Sequence, residues 1–431
     1  MTARVPSIVL VSTPVRKLPP ESPAFTAHPL PSSFRLPHHR NIVSTSPSTP
    51  ADNPSLAPSP AIPGHTPSFF LADLYTFKWT ELNLRQPLIS TLAVALCLTL
   101  GIAVGHPGGA LLAGGGAFTI GFGANQRIAD SRLLPMLAAI FACASATLAG
   151  SLVGHHGYAL VLAASGSAFI YGILTAQNTG LAWVGQQASV ALFVSSAFPS
   201  SPRPAFIRAG LILAGGALQL LVTSIGLHLL PELQKNLLAI PRSVYATLAE
   251  TLYARRLDLL HRIHHLPLAL PGLSNRQALI YSLRLVLTVG LATELYHRLG
   301  IQSGYWIPMT ALLVQKPAFF ETFTRSAARI LGTVAGAFLC TLLLAHVSLS
   351  LPVLAAAATL FALLAFATNA VNYALFTACL TSYIVFLLSL NQIPGPVIAH
   401  RRAWCTTLGG LIALVIHLDA LRRHRSTPIH P

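Results

Sequence analysis

Two blocks of the chain, residues 88–230 and 278–420, are successions of long apolar runs broken only by short polar turns. A helix needs about 20 predominantly apolar residues to cross the hydrocarbon core of a bilayer, so each block has room for about six crossings. Charged residues make up 9% of the chain and apolar residues 53%, with a mean hydropathy of +0.64. Soluble domains carry about 25% charged residues, so this composition cannot build a water-facing surface. The fold class expected is therefore an all-α membrane protein of about twelve transmembrane helices. Among the expected spans are 305–314, 327–347 and 402–419, and a loop between the first two carries Lys316, Glu321 and Arg325.

The blocks repeat one another. RQPLISTL at 85–92 matches RQALIYSL at 276–283, and Ala176 to Asn178 corresponds to Ala367 to Asn369. Arg208 followed by Gly215 and Gly216 matches Arg402 followed by Gly409 and Gly410. An even number of crossings per unit leaves both copies in the same orientation, giving two parallel six-helix repeats related by an axis along the membrane normal. The third span of each unit places small residues four apart: Ala142, Ala146, Gly150 and Gly154, then Ala328, Gly332, Gly336 and Cys340. That spacing lets helix backbones approach closely where lipid supplies no hydrophobic drive.

Around the two units, residues 1–67 form a Pro/Ser-rich tail with fifteen prolines. Such a segment buries too little apolar surface to offset its ordering entropy and is expected to be disordered. The first unit spans 68–230 and begins with an aromatic stretch, Phe69 to Trp79, that suggests an interfacial helix. Residues 231–277 alternate apolar and basic residues and read as a cytoplasmic amphipathic linker on the anionic leaflet. The second unit covers 278–420, and a basic tail follows at 421–431.

The net charge of +16 suggests nucleic-acid binding, but no basic stripe shares a folded surface with stacking aromatics, so no nucleic-acid partner is expected. The basic residues gather instead in alternate loops, a bias that places both termini in the cytoplasm. The five cysteines fall inside spans with no paired spacing, and His261, His264 and His265 have no carboxylate or thiol at ligand spacing. Neither a disulfide framework, a metal site nor any other cofactor is expected. No phosphate-cradling loop, His-Glu-x-x-His or Gly-x-Ser-x-Gly motif is present, so an enzyme reading has no residues behind it.

The second span of each unit is broken, by seven glycines between 108 and 123 in the first and by Gly304, Pro308 and Pro317 in the second. Corresponding broken spans in two halves point to a transporter binding site, because freed backbone groups can face a solute. Tyr305 and Trp306 are expected at the membrane–water boundary. Gln186 and Gln187 in the fifth span and Thr381 and Ser382 in the eleventh suggest a polar layer between the units. Lys316, Arg325 and Arg329 beside Phe319 and Phe320 suit a planar anion. Glu294 is the carboxylate placed inside a span and the candidate coupling group, with Arg298 four residues on as a helix-end ion pair.

The segments GYWIPMTALLV at 304–314, TFTR at 322–325 and RILGTVAG at 329–336 together resemble the signature of the fusaric acid resistance protein family, which is similar to the aromatic acid exporters. NYALF at 372–376 agrees with it. The resemblance covers about 85–425, most closely in the second unit. It implies an inner-membrane efflux protein for aromatic or other organic acids, driven by an ion gradient, with a periplasmic adaptor as partner and the lipid bilayer as medium. A homo-oligomer is compatible with it. A membrane scaffold without transport and a passive anion channel stand as alternatives.

Overall fold

The computed structural model describes residues 72–128, 131–229, 275–346 and 350–425. The Pro-rich tail, nearly all of the 231–277 linker with its three histidines, and the last residues of the basic tail lie outside the described residues.

Among those described, the first half holds helices α1 (Arg85–Ala103), α2 (Pro107–Gly121), α3 (Leu133–Val153), α4 (Gly157–Thr175), α5 (Thr179–Ser196) and α6 (Pro202–Gly226). The second holds α7 (Arg276–Arg298), α8 (Trp306–Val314), α9 (Phe319–His346), α10 (Leu351–Thr368), α11 (Tyr373–Ser389) and α12 (Gly395–Arg425). No strand occurs among them. Seven (α1, α3, α4, α6, α7, α9 and α10) are long and apolar enough to cross a bilayer, so the chain is a multi-pass membrane protein. Local chemistry sets the helix starts. Pro107 and Pro202 open their helices at a position where no N–H is needed. Asn178, Asn275 and Asn372 accept from the first free N–H groups of α5, α7 and α11.

Side chains sort by solvent preference, with lipid as the solvent. Leu88, Leu92, Leu96 and Leu100 stand exposed along α1, and Leu283, Leu287, Leu291 and Leu295 along α7. Residues four apart share one helix face, so each half presents a leucine stripe outward. The same packing recurs in both halves: helix 2 lies against helix 6 (α2–α6, α8–α12) and helix 3 against helix 5 (α3–α5, α9–α11). A Cβ at Gly215 would meet the backbone of Ala113, and one at Gly409 the backbone of Ile307. The small-residue faces of the third helices close on the fifth, Gly150 against Leu192 and Gly336 against Ala378. The halves interlock reciprocally, α4 on α7 and α1 on α10. The aromatic contacts of Phe118 with Phe366 and Tyr383 join α2 to α10 and α11.

Several expectations change. Helix α9 begins at Phe319 rather than at 327, so Glu321 and Arg325 sit on a helix and not in a loop. Helix α12 begins at Gly395 rather than at 402, which carries Arg402 two turns inside. Tyr305 and Trp306 are each only 5% exposed; the protein core, and not the lipid boundary, takes these rings. The N-cap matching Asn178 is Asn372, not Asn369, which ends α10. Before α1, among the described residues, the expected interfacial helix is broken into the short turns Ala72–Tyr75 and Trp79–Glu81.

Helix α8 has nine residues, about 14 Å of rise and less than half a bilayer core. Its flanks lengthen the passage. Gly304 lies against Tyr296 of α7, and Tyr281 of the same helix donates to the Gln315 carbonyl at 3.0 Å. Residues 304–315 thus run back along some 15 residues of α7, about 22 Å.

Candidate functional site

Helix α9 buries a polar stripe and exposes an apolar one. Thr322, Ser326, Arg329 and Thr333 are buried at steps of four, three and four, while Leu331, Val334 and Phe338 face outward. In α12, Arg402, Thr406 and His417 are buried, and Trp404, Leu411 and Val415 are exposed. This inversion is what lipid demands, since a polar side chain facing hydrocarbon is costly. The two stripes face each other antiparallel. His417 Nδ1 lies 3.0 Å from Thr322 Oγ1, and a Cβ on Gly410 would contact Ser326. From these two contacts and a rise of 1.5 Å per residue, Arg329 and Arg402 stand about 8–12 Å apart along the bundle.

Aromatic and hydroxyl groups from the neighbouring helices hold these arginines. Arg402 Nε donates to Thr381 Oγ1 at 3.1 Å, and its guanidinium carbon sits 3.9 Å from the ring centre of Trp306. Arg329 Nη1 donates to the Tyr373 hydroxyl at 3.1 Å, and Arg325 stacks on the same ring at 3.6 Å. Asn372 fixes the start of α11, and so Tyr373. Its Oδ1 caps the helix, while Nδ2 donates to the Leu74 and Thr76 carbonyls.

Arg329 is 3% exposed and Arg402 1%. Arg325 Nε, Arg329 Nε and Arg402 Nη1 are buried without a hydrogen-bond partner, as are Thr310 Oγ1 and Ser326 Oγ. Among the described residues no carboxylate pairs with any of the three arginines, whereas Lys78 pairs with Glu81 and Arg298 with Glu294. Arg329 and Arg402 lie close enough to repel each other. Unsatisfied N–H groups on a buried cation are chemically able to donate to an anion.

At the far end of the seam, Thr322 Oγ1 accepts from the Lys316 N–H at 2.9 Å. Arg284 Nη1 lies 2.7 Å from His417 Nε2. A guanidinium only donates, so His417 accepts at Nε2 and carries its proton on Nδ1, toward Thr322. This chain ties α7, α9 and α12 to the turn that follows α8. At the opposite end of α8, a cavity of about 240 Å³ is lined by Tyr305, Tyr296, His297 and Ser196.

Of the residues singled out from sequence, Arg325, Arg329, Trp306 and Thr381 come together here, with Lys316 half-buried at the seam's end. Pro308 is buried within α8. Gln186 and Gln187 are half-buried on α5, and among the described residues no hydrogen bond joins them to Thr381 or Ser382. Glu294 is paired with Arg298 near the end of α7. Sequence reading missed Arg402 and Tyr373 as site residues. The match of Arg402 to Arg208 was a signal, but an apolar run counted from 402 put that cation at the entry of the last span, not two turns inside a helix. Among the described residues no group of His, Cys, Asp and Glu could hold a metal ion.

An uncharacterized protein of Synechocystis sp. (strain ATCC 27184 / PCC 6803 / Kazusa) is 29% identical over 154 residues, 35% of this chain. The chain spans about a fifth of that relative's length. No solved structure gives a significant match. The family model described as fusaric acid resistance protein-like matches residues 291–416, from the second half of α7 into α12. The segment that carries Trp306, Arg329, Tyr373, Thr381 and Arg402 is thus similar to fusaric acid resistance protein-like domains, as the residues between Gly304 and Gly336 indicated.

Proposed function

We propose that this protein exports small organic anions, aromatic acids among them, across a bacterial inner membrane at the expense of an ion gradient. Its twelve helices would form two parallel six-helix repeats, with both termini in the cytoplasm and an adaptor on the periplasmic side. One observation carries the reading: Arg329 and Arg402 are buried, have unpartnered N–H groups and, among the described residues, lack a carboxylate partner. A planar carboxylate entering beside Trp306 and Tyr373 meets cations and aromatic faces together, which suits an aromatic acid. Lys316 and Arg325 draw the anion toward the seam, and the short helix α8 leaves backbone and hydroxyl groups along its route.

The test is efflux of labelled 4-hydroxybenzoate from proteoliposomes, with and without an imposed gradient of protons or of chloride. Uphill efflux is expected, weakened in Arg329→Gln and in Lys316→Gln while both variants still insert in the membrane. Flux independent of any gradient would make the protein a channel. Absence of flux under every condition would leave a scaffold, and unchanged flux in both variants would remove the cations from the route.

A further inference from the structure

The two innermost cations also bear on what fills the seam when no organic anion is there. Taking an ion of guanidinium size out of water into a low-dielectric interior is strongly unfavourable, even after relaxation. Acids such as carboxylates escape that cost by taking up a proton, but a guanidinium stays charged in proteins. Around Arg329 and Arg402 the hydroxyls of Tyr373 and Thr381 supply dipoles, and the rings of Trp306 and Tyr373 supply quadrupoles. None supplies a negative charge. Mutual repulsion adds to the penalty. An empty seam would therefore hold two uncompensated charges inside a bilayer.

The donors left over define what can neutralise them. In Arg402, Nε is engaged by Thr381 and Nη1 is free; in Arg329, Nη1 is engaged by Tyr373 and Nε is free. Arg402 cannot offer its Nε-bearing edge whole to a carboxylate fork, because Thr381 holds Nε, whereas in Arg329 that nitrogen is free. Buried free donors on two separate arginines, with the unpartnered hydroxyls of Thr310 and Ser326 one turn from Trp306 and Arg329 on α8 and α9, suit a small sphere that accepts from several directions. We propose that a small inorganic anion of the halide class occupies the seam whenever the organic anion is absent, so that transport is an exchange of one anion for the other. The exchange rests on the seam being the organic-anion site; occupancy by halide does not.

The test needs no organic substrate. Proteoliposomes containing the full chain and loaded with unlabelled chloride are placed in labelled chloride, and uptake of label is followed. Protein-dependent exchange is expected, lost in Arg402→Gln and Arg329→Gln and slowed by added 4-hydroxybenzoate. As a measurement without variants, the detergent-solubilised protein should unfold at a higher temperature in chloride than in gluconate at equal ionic strength, with saturation. Equal midpoints in the two salts, or exchange that survives Arg402→Gln, would overturn the proposal. Chloride exchange without movement of labelled 4-hydroxybenzoate would sink organic-anion export and leave halide occupancy standing. Flux of the aromatic acid without chloride exchange or stabilisation would do the reverse.

Discussion

Arg402 is held by two neighbours that act in different ways, and they can be separated. Thr381 gives its Nε an acceptor at 3.1 Å. Thr381→Val keeps the shape but strands a charged donor in the interior, a change worth about 1–3 kcal/mol. The variant should unfold at lower temperature in detergent than the parent, as followed by circular dichroism. Trp306 contributes its ring face, an interaction of about 0.5–2 kcal/mol that weakens from indole to phenyl and vanishes with an aliphatic side chain. Anion affinity, read from the concentration dependence of flux, should fall in the order Trp306, Trp306→Phe, Trp306→Leu. Equal affinity in all three would show that the ring is packing and nothing more. The sequence made Trp306 visible as an aromatic beside a broken span, but placed it at the lipid boundary. Which ring is buried depends on what α12 brings against it, and Arg402 comes from nearly a hundred residues further on.

Between elements, close approach and polar ties set the geometry. Helix α12 lies so near α8 that a Cβ on Gly409 would stand 2.9 Å from Thr310 Cβ and closer still to the Ile307 carbonyl. The backbone of α8 cannot yield without moving Trp306. Gly409→Ala should therefore destabilise the fold by about 1–3 kcal/mol, the usual cost of overpacking, and lower flux; a thermal melt and the efflux assay check both. His417 makes the second tie, accepting from Arg284 and donating to Thr322. Glutamine can accept and donate at similar reach, whereas leucine can do neither. His417→Gln should keep the unfolding midpoint close to that of the parent and His417→Leu should lower it. The helices themselves were legible because apolar runs of span length have one solution in lipid. Their ends were less so. Helices α9 and α12 begin eight and seven residues earlier than the runs suggest, since Glu321, Arg325, Arg401 and Arg402 interrupt hydropathy without interrupting the hydrogen-bond ladder.

At the scale of the molecule, the backbone repeats and the chemistry does not. Gly215 and Gly409, Asn178 and Asn372, and Arg208 and Arg402 occupy matching places in the two halves. Yet Arg208 is half-buried and donates to the Phe198 carbonyl and, at 3.4 Å, to Ser200, at the turn before its own helix. Its counterpart to α9 is α3, which contains no charged residue at all. Where the second half has a buried pair, the first therefore has Arg208 at its rim, and a helix packing that recurs in both halves carries a single seam. If so, matched substitutions should have unmatched results. Arg402→Gln should lower anion flux on the order of tenfold or more, the factor that about 1.4 kcal/mol of lost binding represents. Arg208→Gln should disturb only a turn, lowering the melting point slightly and leaving flux near that of the parent. Equal losses from both would mean that the halves share one route between them, as the polar layer expected from Gln186, Gln187 and Thr381 would require, and the seam inside the second half would lose its claim.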